Sequence, residues 1–259
     1  MFKKILKSIF LELFENIVST SRGKAFLIDM LYKHPQLCIE AFGKRSNVLE
    51  RFENISDWPD KIEGFEDLYF LFSCTQLNMG ITLLAFDEAA YLYKVIKNLK
   101  SANIVEIGRF KGGGTFLMAA AMDKNSRLRS YDLHIKQVEN FDGQKMDQIL
   151  QNCLRRYGLA DRVEIIVANS SEVDVGKEPV DLIFIDGDHS YEGVKKDFFH
   201  WHKIIKHGGH VLFHDAAKTR EFTTYHEGVN RFIKEIENNF SQDFIKIKEI
   251  GSIIHFIKN

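Results

Sequence analysis

Apolar residues along the first hundred positions recur at helical spacing, whereas from Asn103 onward they gather into short runs separated by amphipathic segments. The first pattern predicts a mostly helical region. Its expected helices run from the amphipathic start Met1–Phe10 through Leu11–Val18, then over Ala25–Tyr32, which stops near Pro35. Asn47–Gly64 reads as irregular, and Phe65–Leu84 as apolar without a regular period. Asp87–Leu99 reads as a helix, with Asp87 as its cap and Leu92, Val95, Ile96 and Leu99 on one face. The second pattern predicts strands at Asn103–Ile107, Leu128–Asp132, Val163–Ala168, Val180–Asp186 and His210–His214. Helices are expected over Gln144–Tyr157, Tyr191–Ile205 and Gly228–Asn238, and a closing hairpin over Phe244–Lys248 and Ser252–Ile257. Strands alternating with helices predict a doubly wound α/β fold, with parallel strands joined by crossovers. Residues 1–90 then form a helical N-terminal extension and residues 91–259 the main domain.

Composition narrows the class. A hydrophobic content of 45% supports a sizeable core, and a formal net charge of −1 argues against a dedicated nucleic-acid surface. Cys38, Cys74 and Cys153 are odd in number and form neither a metal spacing nor a disulfide framework, so a cytoplasmic setting is expected. No apolar run is long enough for a membrane span. The amphipathic N-terminus is expected to pack on the body. Its alternatives are a contact with a membrane surface or with a second copy in a homo-oligomer.

The densest chemistry follows the first strand, in Glu106-Ile107-Gly108-Arg109-Phe110-Lys111-Gly112-Gly113-Gly114-Thr115. A strand, a glycine-rich turn and a helix let a ligand approach bare backbone at the carboxyl end of a sheet. The next strand ends in Asp132, an acid able to accept hydrogen bonds from both hydroxyls of a ribose. A nicotinamide fingerprint would need a second glycine at position 110, where Phe110 blocks close approach of a pyrophosphate. The pattern E-x-G-x-x-x-G-x-G-T resembles instead that of the class I S-adenosylmethionine (SAM)-dependent methyltransferases. The resemblance covers roughly residues 90–259. It implies a Rossmann-like, seven-stranded, mostly parallel sheet whose last strand is antiparallel, and SAM as cofactor. It implies that Glu106 helps hold the methionine end, that Gly108, Gly112 and Thr115 form the turn, and that Asp132 binds the ribose. Asn169 and Ser170, after the third strand, are expected to contact the adenine by hydrogen bonds, although the acid usual in the family near this point is absent. Phe110 and Tyr131 read as core residues or as neighbours of the adenosine.

A second cluster ends the fourth strand, in Asp186-Gly187-Asp188-His189, and the fifth ends in His214-Asp215. Polar residues at the carboxyl ends of neighbouring strands sit where open α/β sheets bind ligands. Asp186 and Asp215 suit a hard divalent cation such as Mg²⁺, which would lower the pKa of an acceptor hydroxyl. This arrangement resembles the metal-dependent small-molecule and sugar O-methyltransferases. Where those proteins often carry Asp or Asn after the strand-five acid, this chain has Ala216. His214 could stand in for that residue only if the strand twists, because adjacent strand residues face opposite sides. His189 is the expected general base, with Asp186 and Asp188 as catalytic carboxylates and Asp186 also touching the cofactor. Asp188 is equally suited to cap the following helix. His200 and His202 read as packing residues, His207 and His210 as residues of a turn, and His226 as a loop residue within reach of substrate.

The expected function is methyl transfer from SAM to a hydroxyl of a small molecule such as a sugar or secondary metabolite. The alternative is a SAM- or nucleoside-binding protein without catalysis, against which the retained Asp186, His189 and Asp215 argue. A nucleic-acid methyltransferase would show a basic surface and often an Asn/Asp-Pro-Pro-aromatic motif; strand four ends instead in Asp-Gly-Asp-His.

Overall fold

The structure, a computed structural model, describes residues 59–72, 74–75, 78–79, 81–134, 142–217 and 227–259. The helices expected over residues 1–32, the amphipathic N-terminus and His226 lie outside the described residues. Seven strands form the main sheet: β1 (Asn103–Ile107), β2 (Arg127–Asp132), β3 (Val163–Val167), β4 (Val180–Ile185), β5 (Ile205–Phe213), β6 (Phe244–Ile250) and β7 (Ile253–Lys258). Their spatial order is β3-β2-β1-β4-β5-β7-β6. All pairings are parallel except those of β7, which runs antiparallel to both β5 and β6. Among the described residues the α-helices are α1 (Phe86–Asn98), α2 (Gly113–Ala121), α3 (Gly143–Arg156), α4 (Tyr191–Trp201) and α5 (Glu227–Asn239).

Period-two alternation divides the core into two layers. Ile104, Leu128, Leu182, Phe184 and Leu212 point to one face, where they meet Leu92 and Ile96 of α1, Phe116 and Leu117 of α2, and Leu150 and Leu154 of α3. Val105, Tyr131, Ile183, Ile185, Val211 and Phe213 point to the other, against Phe198 and Trp201 of α4 and Phe232 and Ile236 of α5. Strands buried on both sides explain why the sequence shows continuous apolar runs rather than alternation. Leu68, Phe70, Leu71 and Ile81, from the segment ahead of α1, join the first layer. The expected boundary after residue 90 therefore falls within α1, whose own residues pack on the domain core.

Three local readings change. The helix α1 starts at Phe86 after Ala85, so Asp87 is not its cap; alanine has no acceptor, and the Glu88 carboxylate instead takes the Ala85 N–H at 2.7 Å. Asp188 does not cap α4. Ser190 does, accepting from Gly193 N at 3.0 Å, while Asp188 accepts from Ser190 N at 2.8 Å. Strand β5 begins at Ile205, earlier than His210. Its pairing jumps from Val180↔Ile205 to Leu182↔His210, so the turn-like Gly208-Gly209 is absorbed as an irregularity within the ladder.

Candidate active site

The carboxyl ends of β1, β2, β4 and β5 meet at one edge of the sheet. Beyond the strands the ladder continues, with Gly108 N bonded to Tyr131 O at 2.9 Å, Asp186 N to Ile107 O at 2.8 Å and His214 N to Ile185 O at 3.0 Å. Gly108 has φ +89°, and a Cβ there would collide with the backbone carbonyl of Asp186. The glycine is therefore required both by its left-handed conformation and by the approach of β4.

On the β1–β2 side, Glu106 is buried, and its Oε2 accepts from Thr115 Oγ1 at 2.6 Å and from Ser130 Oγ. Burial raises the Glu106 pKa to about 7, and the two hydroxyls and the charge of Arg109 offset only part of that cost. Asp132 Oδ2 accepts from the backbone N–H groups of Arg109 and Phe110, both at 2.8 Å, and Oδ1 accepts from His134 N at 2.6 Å. Asp132 thus shapes the glycine-rich turn. Phe110 takes a left-handed φ of +49° within that turn, while Tyr131 is buried against Trp201. Gly112, at φ +84°, is the N-cap of α2.

Arg109 is the residue whose role the sequence did not announce. Its side chain is fully buried beneath the turn, and it grips Asp147 of α3 with two bonds, Nε to Oδ1 at 2.7 Å and Nη2 to Oδ2 at 2.9 Å. Nη1 also donates to Ser130 O at 2.8 Å. His134 Nε2 meets the same Asp147 carboxylate at 2.7 Å. Beyond β3, Asn169 Oδ1 accepts from Ser171 N and Ser171 Oγ. Ser170 turns inward, donating to Asp197 Oδ1 at 2.5 Å, and burial raises the Asp197 pKa to about 6. The two expected adenine contacts are thus directed differently.

On the β4–β5 side, one ligand atom each from Asp186, His189 and Asp215 lies within 4.8 Å of the others. His189 Nε2 is 3.3 Å from Asp186 Oδ1 and 3.7 Å from Asp215 Oδ2. His214 joins them despite the alternation rule. Asp215 takes a left-handed φ of +52°, so the chain turns and both neighbours reach Asp186. His214 Nδ1 lies 3.0 Å from Asp186 Oδ1, and its Nε2 lies 3.1 Å from Glu88 Oε2 on α1. Burial would raise the Asp186 pKa, but His214 and His189 outweigh it and hold it near 2. Burial lowers the His189 pKa, yet the hydrogen bond and charge of Asp186, with the charge of Asp215, leave it above the usual imidazole value. Asp188 stands outside this group, exposed on the turn. His200 and His202 each bond a backbone carbonyl, of Val173 and Phe199, as expected of packing residues. Among the described residues no helix is long and apolar enough to cross a membrane.

Comparison with known proteins places this geometry. Residues 105–216 match the family described as a methyltransferase domain. A catechol O-methyltransferase of Niastella koreensis is 24% identical over 172 residues, covering 63% of this chain and 72% of the relative. An uncharacterized protein of Acanthamoeba polyphaga mimivirus is 25% identical over 183 residues, covering 60% of this chain and 78% of its own. Among solved structures, an O-methyltransferase from Bacillus cereus in complex with S-adenosylhomocysteine (SAH) superposes with a TM-score of 0.53 at 18% identity, covering 89% of this chain and 100% of that one. An O-methyltransferase from Streptomyces achromogenes in complex with SAM gives 0.53 at 16% identity, covering 88% and 95%. At such identities the structures show the shared fold. With the sheet and its one reversed strand, and the glycine turn flanked by Glu106 and Asp132, residues 105–216 carry a methyltransferase domain, and the chain has the fold of SAM-dependent O-methyltransferases.

Proposed function

We propose that this enzyme methylates a hydroxyl oxygen of a small molecule, such as a sugar or secondary metabolite. The observation that carries the reading is the convergence of Asp186, His189 and Asp215 within 4.8 Å just beyond the ends of β4 and β5, where the Asp186 backbone abuts Gly108 of the glycine-rich turn. Acid–base groups there stand beside the expected methyl donor, and the catechol O-methyltransferase relative supports an oxygen acceptor. When bound, SAM supplies an electrophilic methyl group. The chain's part is to orient the two reactants and manage one proton. Asp132 would accept from the ribose hydroxyls, Glu106 would face the methionine end, and Asn169 would take an edge of the adenine. Residues 1–90 would cover the acceptor side or meet a second copy; the backbone at Ile81 and Thr82 lies so close to Gly113 that a Cβ there would come within 2.5 Å.

Two treatments of the acceptor proton share these residues. In the first, His189 takes it on its ring, and Asp186 and Asp215, which face Nε2, stabilise the imidazolium that forms. In the second, Asp186 and Asp215 hold a divalent cation with His189 as third donor. A cation bound there supplies the charge that lowers the pKa of an acceptor hydroxyl. The donor set fits such an ion: two carboxylates suit Mg²⁺, and the imidazole nitrogen extends the fit to Mn²⁺. A ligating Nε2 is not free to accept a proton, so chelation separates the two readings. Loss of transfer in EDTA with recovery in Mg²⁺ or Mn²⁺ supports the cation; unaltered transfer supports the base.

The first experiment is calorimetry with SAM and SAH on the wild type and Asp132→Ala. Binding by the wild type that disappears in the variant supports the cofactor assignment and starts an acceptor screen with sugars and catechols. Absence of binding to the wild type overturns the proposal.

A further inference from the structure

We infer that Glu88 is a positioning residue for the acceptor side, holding Asp186 in place through His214. The inference rests on the reading of Asp186 as a site residue. Glu88 lies on α1, outside the residues that match the methyltransferase domain, and 126 positions from His214 in sequence. It is 3% exposed and His214 6%, so the contact between them is closed to solvent. The His214 ring acts as a strut: its Nε2 is 3.1 Å from Glu88 Oε2 and its Nδ1 is 3.0 Å from Asp186 Oδ1. A rigid five-membered ring fixes the distance between its two nitrogens, so the position of one carboxylate constrains the other.

Glu88 cannot swing. Its Oε1 accepts from Ser252 N at 2.5 Å and its Oε2 from Ala85 N at 2.7 Å. Gly251, at φ +55°, lies so close that a Cβ there would collide with the carboxylate. The strut is thereby anchored at the first turn of α1 and at the β6–β7 turn. At its far end His214 and His189 both meet Asp186 Oδ1, and no described residue hydrogen-bonds Oδ2. The result is a carboxylate with one oxygen fixed and the other presented to a ligand. Outer partners of this kind orient a ligating carboxylate and tune what it binds. If Glu88 served only to join α1 to the β6–β7 turn, the state of Asp186 would be indifferent to it.

The test uses the full chain labelled with ¹⁵N at histidine rings, with SAH and Mn²⁺ as probes. The wild type is expected to show two slowly exchanging ring N–H signals from His214, assigned by their loss in His214→Gln. Glu88→Gln is expected to move the Nδ1–H signal on the Asp186 side, to weaken Mn²⁺ binding about tenfold, and to leave SAH affinity unchanged. A Glu88→Gln protein with altered thermal stability but wild-type Nδ1–H signal and Mn²⁺ affinity overturns the inference. If Glu88→Gln does not fold, Asp186→Asn reads the strut from its other end: the Nε2–H signal facing Glu88 must move, and an unmoved signal overturns the inference. If the wild type takes no Mn²⁺, the cation reading of the site fails, and the ring signals alone decide the role of Glu88.

Discussion

Glu106 and Asp186 end neighbouring parallel strands, yet their carboxyls are driven in opposite directions. Both pay for removal from water. Glu106 is answered chiefly by the hydroxyls of Thr115 and Ser130, and its pKa rises to about 7. Asp186 is answered by His189 and His214, and its pKa falls to about 2. A neutral donor offsets part of a desolvation cost, whereas a cationic ring exceeds it. The β1–β2 side of the site thus holds an acid that titrates near neutrality, and the β4–β5 side a carboxylate kept ionised. That division suits a pocket where a cationic ligand group supplies Glu106 with its counter-charge and where an acceptor hydroxyl must lose a proton.

The strongest way to break the contrast is to remove Arg109. Arg109→Ala leaves Asp147 without its buried partner and should cost about 3–5 kcal/mol in denaturant unfolding. SAH binding should disappear in calorimetry while any Mn²⁺ binding persists, because the damage lies on the β1–β2 side. Asp186→Asn should do the reverse, weakening Mn²⁺ by more than about 100-fold and sparing SAH. Glu106 gives the sharper test through pH. Its raised pKa means the folded protein holds an extra proton, so its contribution to stability falls as pH rises from 4.5 to about 7 and is constant above. If the bound cofactor prefers the carboxylate, SAH affinity should rise about tenfold between pH 6 and 8; Glu106→Gln should flatten both profiles. Asp186 has the opposite sign, its contribution being present above 3.8 and lost as pH falls toward about 2. The smallest effect is expected from Gly114→Ala. Its Cβ would sit 3.0 Å from Glu106 Oε1, so a helix-propensity gain of up to about 1 kcal/mol in thermal unfolding should come with weaker SAH binding.

What the sequence made legible was local. The strands announced themselves as apolar runs, and the acids Glu106, Asp132, Asp186 and Asp215 stood at or just beyond the strand ends, where a parallel sheet must place them. Even there, adjacent polar residues competed. Asp188 and Ser190 can both cap a helix, and only the bond from Gly193 N shows that Ser190 does so. The partners that set the chemistry were not legible, because they come from distant positions. Arg109 meets Asp147 across 38 residues and His214 meets Glu88 across 126. No periodicity joins such pairs, and a buried arginine reads from sequence like an exposed one. His214 joins the group only because the strand stops alternating there: alternation holds within a strand, and the left-handed Asp215 ends it.

The contact between Gly108 and the Asp186 carbonyl bears on how such an enzyme acquires new acceptors. It sets the main chain of the glycine-rich turn directly against the main chain that carries Asp186. Adjacent strands lie about 4.8 Å apart whatever side chains they carry. The spacing between the two halves of the site is then a ruler cut into the backbone, set independently of the loops and of the segment ahead of α1. Exchange of those peripheral parts leaves that spacing unchanged.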